Sequence, residues 1–270
     1  MTVEGKSFIV TGGGSGIGAA CARLLAGSAS SVTICGRTES KLVVVADEIA
    51  AAGGRVHRVV ADVTDEDDVR RLVAEAVEAF GAVHGLVANA GGGGALGPYH
   101  LMDAREFMRV IELNVLSTML CVKHAVPELA KVRGSFVGMS SIAGHATHRW
   151  FGAYPVAKAA IESIMQNAAD EYGPLGVRFN SVRPGFITTE VMAGLPQDSD
   201  VYRSYLDNTP MNGVGEPDDV ARLVRFLLSD DSRWITGQEI GVDGGHTLRR
   251  GPDFTPFAGA AAQGLQRGEI

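Results

Sequence analysis

The chain has 270 residues, with 24 Lys or Arg against 31 Asp or Glu and a net charge of -7 at pH 7. That acidic balance, with no basic cluster longer than the Leu248-Arg249-Arg250 step, argues against a nucleic-acid surface, and 46% hydrophobic residues suffice for the core of one α/β domain. The expected partners are a small molecule and other copies of the chain, with no nucleic acid and no membrane.

Cys21, Cys35 and Cys121 stand far apart without C-x-x-C spacing, so they read as small core residues in a reducing compartment, not as disulfides or metal ligands. The N-terminus lacks a basic stretch followed by an apolar one, and no segment is expected to reach the roughly 18 apolar residues that a bilayer crossing needs. A cytoplasmic protein without a metal site follows as the expectation.

In chain order, Ser7 to Val10 is a short apolar run. It is stopped by Thr11-Gly12-Gly13-Gly14-Ser15-Gly16-Ile17-Gly18, and Ala19 to Ala26 then has helix-forming composition. Strand, glycine turn and helix together suit phosphate binding: glycines let the backbone approach a pyrophosphate, and the free N–H groups of the helix start face the anion. A merely flexible turn is the alternative. Ser31 to Cys35 reads as a second strand ending at Gly36-Arg37-Thr38. An NAD-type site would place an Asp or Glu on the ribose 2′-hydroxyl near here, whereas Arg37 suits a 2′-phosphate and Thr38 offers a hydroxyl. NADP(H) is therefore favoured and NAD(H) left open, since Arg37 could instead stack on adenine or pair with Glu39, and position 15 is serine and not a basic residue.

Lys41 to Ala52 reads as a helix, Arg55 to Val60 as a third strand, and Asp67 to Phe80 as an amphipathic helix stopping at Gly81. Between them, Asp62 either serves a ligand or caps the helix opening near Asp65, a cap that Thr64 could equally supply. Val83 to Ala88 is a fourth strand running into Asn89-Ala90-Gly91 and three further glycines. The next helix spans about 103 to 124 and holds Asn114, whose side chain competes with helical hydrogen bonds and so is either a satisfied core amide or a functional group.

Ser135 to Met139 is a fifth strand with Ser141 at its end, and Tyr154 and Lys158, four residues apart, share one face of the following helix. An ammonium beside the phenol would favour the phenolate. Gly176 to Val182 is a sixth strand before Pro184-Gly185-Phe186-Ile187-Thr188. A mixed stretch from about 188 to 216 looks like a substrate lid, Asp218 to Leu228 is a helix, and Gln238 to Val242 is a seventh strand.

Taken together, T-G-x-x-x-G-x-G, Asn89-Ala90-Gly91, and Ser141 with Tyr154-x-x-x-Lys158 resemble the short-chain dehydrogenase/reductase family, in the manner of its 3-oxoacyl-[acyl-carrier-protein] reductases. The resemblance spans about residues 5 to 245, which would form a single coenzyme-binding and catalytic domain, with 246–270 a C-terminal extension that is either disordered or packed on a neighbouring subunit. It implies a doubly wound, Rossmann-like α/β fold of three layers, with a parallel seven-stranded sheet in the order 3-2-1-4-5-6-7. It also implies hydride transfer between a nicotinamide coenzyme and a carbonyl or secondary alcohol, with Tyr154 as acid/base, Ser141 on the oxyanion, and Lys158 lowering the tyrosine pKa and holding the ribose. Asn114 would perturb its helix and serve a proton relay. Coenzyme contacts would come from Gly12, Gly14, Ser15, Gly16, Ile17, Gly18, Arg37, Thr38, Asp62 and Val63 along the adenosine half. Asn89, Ala90, Gly91, Pro184, Gly185, Ile187 and Thr188 would serve the nicotinamide half, with Tyr154 and Lys158. A homotetramer built on the faces of helices near 103–124 and 152–172 is the family expectation. A catalytically silent coenzyme-binding regulator is the alternative, and an epimerase a third reading. For the substrate, His145, His148, Trp150 and Phe151 are expected to line the pocket, or the histidines to be solvated, with acyl-thioester or steroid-like carbonyls preferred over sugars.

Overall fold

Runs such as Phe8-Ile9-Val10 and Phe136-Val137 are apolar at every position, so a strand made of them needs cover on both faces. The computed structural model, which describes residues 2–190, 192–249, 251 and 254–268, supplies that cover with helices on each side of one sheet. The strands are β1 (Ser7–Thr11), β2 (Ser31–Gly36), β3 (Arg55–Val60), β4 (Gly85–Ala88), β5 (Ser135–Met139), β6 (Arg178–Pro184) and β7 (Glu239–Val242). All are parallel, in the order β3-β2-β1-β4-β5-β6-β7, as expected.

Alternation along each strand divides the core. Phe8, Val10, Val87, Val137 and Val182 face helices α1 (Gly16–Ala26), α2 (Glu39–Ala51) and α8 (Pro217–Leu228). Ile9, Leu86, Ala88, Phe136 and Phe179 face α3 (Glu66–Phe80), α5 (Ser117–Val132) and α6 (Ala153–Tyr172). A third apolar cluster lies beyond the carboxyl ends of the strands: Ile142, Phe186, Phe254, and Val201 and Tyr205 from α7 (Asp200–Asp207). Phe254 and Thr255 of the C-terminal stretch are buried there, and α9 (Gly259–Gln266) follows. Val191, Arg250, Pro252, Asp253 and residues 269–270, within the expected lid and extension, lie outside the described residues.

Three expectations are corrected. The helix near 103–124 continues to Val132: α4 (Ala104–Ile111) passes through a π-turn at Glu112–Leu116 into α5, which carries Pro127 internally and closes on Arg133 in the left-handed region. At 29 residues, 104–132 is long and apolar enough to cross a bilayer, contrary to the expectation that no segment would be, yet half of its most apolar window is buried within the fold. The α3 cap is neither Asp62 nor Thr64 but Asp65, whose carboxylate accepts from the Asp68 amide at 3.0 Å.

Candidate active site

The glycine loop sits at the carboxyl end of β1, where neighbouring chain leaves no room for side chains. A Cβ on Gly12, which has φ +64°, would fall 2.9 Å from Asn89 Nδ2, and one on Gly18 would strike the Gly12 carbonyl. Asn89 binds the loop in place: its side-chain amide donates to the Thr11 carbonyl (2.9 Å), and its backbone N–H donates to the Thr11 hydroxyl (3.0 Å). The result is a backbone cradle before the N-terminus of α1, the local arrangement that suits an anion.

From this cradle a cavity of about 570 Å³ runs across the strand ends. At one end it is walled by Gly12, Gly14, Ser15, Gly16, Ile17, Arg37, Thr38, Asp62 and Val63; Asn89, Ala90 and Gly91 form its middle; Ser141, Tyr154, Lys158, Pro184, Gly185 and Ile187 wall the other end. Its length, its glycine cradle and a cation at one end fit a dinucleotide. Arg37 is exposed and pairs not with Glu39 but, at 4.0 Å, with Asp62. Asp62 itself holds the Thr64 amide and hydroxyl at 3.0 and 2.7 Å. Lys41, which the sequence reading passed over, adds a second cation to this wall, though its ammonium pairs with Glu190 at 2.7 Å.

Three expected residues fall elsewhere. Gly18 lies behind the loop as a packing glycine. Thr188 is exposed, its amide bonded to the Gly215 carbonyl (2.8 Å), and Thr189 lines the cavity in its stead. Asn114 is fully buried in the π-turn and reaches the glycine stretch from behind: its amide donates to the Gly92 carbonyl (2.9 Å) and the Val110 carbonyl (2.8 Å), and its Oδ1 accepts from the Gly92 N–H (3.2 Å). The helix is thus perturbed at Asn114, and the Thr118 hydroxyl donates to its backbone carbonyl at 2.7 Å.

At the far end of the cavity Ser141 and Tyr154 line the same wall, with the Ser141 hydroxyl also accepting from the Ala143 N–H at 3.2 Å. Lys158 is buried and donates to the Met139 carbonyl at 2.8 Å, with its nitrogen 5.4 Å from the centre of the Tyr154 ring. Burial presses the lysine pKa down to about 8. Burial also raises that of Tyr154, against a smaller lowering from the nearby Ser141 hydroxyl. Burial thus outweighs the expected acidification of the phenol by Lys158, whose amine lies over the ring and bonds a backbone carbonyl.

Beyond these groups the wall is apolar and aromatic: Ile142, Phe151, Phe186, Met192 and Tyr205, with His148 among them. Phe186 stacks on Tyr205 at 4.3 Å, and Phe254 closes on Phe151 at 4.6 Å. Of the four residues expected in the pocket wall, His148 and Phe151 are there, His145 is exposed, and Trp150 packs behind, donating to the Thr255 hydroxyl at 2.9 Å. Tyr205 and Phe254 were not foreseen, since each sits in a segment whose place depends on tertiary packing alone.

The chain matches the family model described as Enoyl-(Acyl carrier protein) reductase over residues 12–247. It is 38% identical over 244 residues to a cis-4-hydroxycyclohexanecarboxylate dehydrogenase of Sinomonas cyclohexanicum, covering 88% of this chain and 95% of that protein. To a cyclohexanol dehydrogenase of Acinetobacter sp. (strain SE19) it is 34% identical, covering 90% and 96%. A solved structure of a short-chain type dehydrogenase/reductase from Mycobacterium ulcerans superposes with a TM-score of 0.94 at 43% identity, over 98% of this chain and all of that one.

Proposed function

Because this chain belongs to the short-chain dehydrogenase/reductase family and is an oxidoreductase acting on an alcohol, we propose that it interconverts a secondary alcohol on a carbon ring with the ring ketone, using NADP(H) in preference to NAD(H). The observation that carries this reading is the Ser141–Tyr154 hydroxyl pair, with Lys158 buried beside it, at the end of a cavity that begins at the glycine cradle.

Bound nicotinamide supplies the hydride acceptor for oxidation and the donor for reduction. In oxidation, Tyr154 takes the proton from the alcohol oxygen while Ser141 holds that oxygen by hydrogen bond; in reduction Tyr154 returns the proton. Lys158, fixed by the Met139 carbonyl, sets the charge beside the phenol. Asn114 holds Gly92 and so the floor of the site. Arg37 answers a 2′-phosphate, its guanidinium meeting the Asp62 carboxylate at a distance of 4.0 Å that leaves its donors to a ligand. Residues 1–245 then act as one coenzyme-binding and catalytic unit, with 188–216 as the substrate lid and 246–270 as an extension whose Phe254 backs the wall residues Phe151 and Tyr205. Flat aromatic faces suit a small saturated or unsaturated ring, in keeping with the ring alcohols named for the two relatives.

Met108, Met119 and Val156 are exposed on the outer faces of α4, α5 and α6, and support a homotetramer packed through those helices. The buried free cysteines suit a reducing, cytoplasmic setting. Cyclohexanol oxidation with NADP+ by wild type and Tyr154→Phe tests the chemistry. The variant should lose about 100-fold or more in turnover, the size of a general acid–base contribution, while its coenzyme titration changes little. Retained turnover would assign the proton to another group.

A further inference from the structure

His148 is a nitrogen base in the aromatic part of the wall that the chemistry above does not use, and its surroundings define what it can do. It is 6% exposed, on the segment between Ser141 and Tyr154. Its Nδ1 lies 2.9 Å from the Ala146 carbonyl. A carbonyl only accepts, so Nδ1 carries the proton and Nε2 keeps its lone pair. Among the described residues nothing donates to Nε2, and this nitrogen is not sealed inside the fold, so a donor in the cavity that His148 lines can reach it. Burial, with His246 opposing further positive charge, takes the pKa of His148 down to about 4, so the ring is neutral at physiological pH.

The segment that carries it is held firmly. Trp150 adopts φ +70°, a left-handed conformation unfavourable to a bulky residue, and is pinned there on both sides: its indole donates to Thr255, and its carbonyl accepts from the Gly97 N–H at 2.8 Å. Next to it, the Phe151 ring stands 5.8 Å from the imidazole and 5.3 Å, edge-on, from the Tyr154 ring. A ring lying along Phe151 with one oxygen at Ser141 and Tyr154 therefore has its remaining substituents toward His148.

We infer that His148 Nε2 is a specificity-determining acceptor that selects ring alcohols bearing a second hydroxyl, a hydrogen-bond donor, over those bearing an ether, a carboxylate or nothing. The inference rests on the ring-alcohol reading given above. A lone pair in an apolar wall attracts an O–H and repels another lone pair or an anion, so this chain should prefer a cyclohexanediol to a hydroxycyclohexanecarboxylate.

The test compares kcat/KM for the 1,2-, 1,3- and 1,4-cyclohexanediols with that for their monomethyl ethers, in wild type, His148→Leu and His148→Gln, the last restoring an acceptor. Wild type should favour at least one diol over its ether by about tenfold or more, the worth of one good hydrogen bond. The ratio should fall to about one in His148→Leu and recover in His148→Gln. A ratio near one in wild type, or one that survives His148→Leu, overturns the inference. If no ring alcohol is oxidised with either coenzyme, the ring-alcohol reading fails by itself, and binding to wild type decides the matter. Tighter binding of a diol than of its ether supports the acceptor, and equal binding overturns it.

Discussion

Lys158 is expected to weaken the fold at neutral pH, and the amount follows from its surroundings. The amine is buried, its pKa falls from 10.5 to about 8, and desolvation is the cause. At about 1.4 kcal/mol per pKa unit, the folded protein at pH 7 carries a cost of about 3 kcal/mol for keeping this group charged. Below pH 8 both folded and unfolded chains hold the proton and the cost is fully present. Between pH 8 and 10.5 the unfolded chain holds a proton that the folded one has released, so stability rises with pH and the cost disappears. Lys158→Met removes the titration but leaves the Met139 carbonyl without its donor, a loss of about 1–3 kcal/mol at every pH. The variant should be level with wild type or up to about 2 kcal/mol more stable at pH 7, and about 1–3 kcal/mol less stable at pH 10.5. Urea unfolding at fixed protein concentration and ionic strength, without added coenzyme, measures the difference at both values. A difference that stays constant from pH 7 to 10.5 would refute the reasoning, whichever protein is the more stable. Turnover by the variant should be lost throughout.

Two further outcomes follow from the ends of the cavity. Arg37→Asp replaces the guanidinium with a carboxylate that repels a 2′-phosphate and can hold a 2′-hydroxyl; the ratio of kcat/KM for NADP+ over NAD+ should fall at least about 100-fold, and an unchanged ratio would remove Arg37 from coenzyme selection. Phe254→Ala strips the ring that lies 4.6 Å from Phe151 and 6.1 Å from Tyr205. KM for cyclohexanol should rise about tenfold with a smaller change in kcat, since the wall rings Phe151 and Tyr205 lose the ring that backs them and no reacting group is touched; an unaltered KM would show that this backing does not shape the substrate wall.

Much of the molecule was legible because its signals are local. The glycine loop, the Asn89 turn and the Gly81 stop each follow from steric demands within a few residues, and the two-sided burial of Phe8-Ile9-Val10 follows from an unbroken apolar run. What sequence reasoning missed depends on distant partners. α5 passes the usual breaker Pro127 and is embraced by α3 and α6. Thr188 and Thr189 are adjacent, and only the pairing of Ile187 with Gly215 settles which one faces the cavity. Phe254 reaches the site across more than a hundred residues of chain, and nothing in the composition of its segment announces it. The direction of the Tyr154 shift was misjudged for a related reason: a spacing of four places two groups on one face but leaves open where the amine ends.

The position of that amine has its own cause in the next turn of α6. Tyr154, Lys158 and Glu162 recur at intervals of four, and Glu162 would be the natural counter-ion for Lys158, raising its pKa. Instead both Glu162 oxygens are taken by Arg183 of β6, which also binds Glu239 of β7, and the Ser140 hydroxyl lies 2.7 Å from the same carboxylate. With Glu162 neutralised from the sheet side, Lys158 is left to a single backbone carbonyl at the end of β5. Gly144 permits the close approach, since a Cβ there would lie 2.9 Å from the Lys158 carbonyl carbon. The ammonium therefore remains electrically unspent beside Tyr154, and the arginine on the neighbouring strand is what keeps it so.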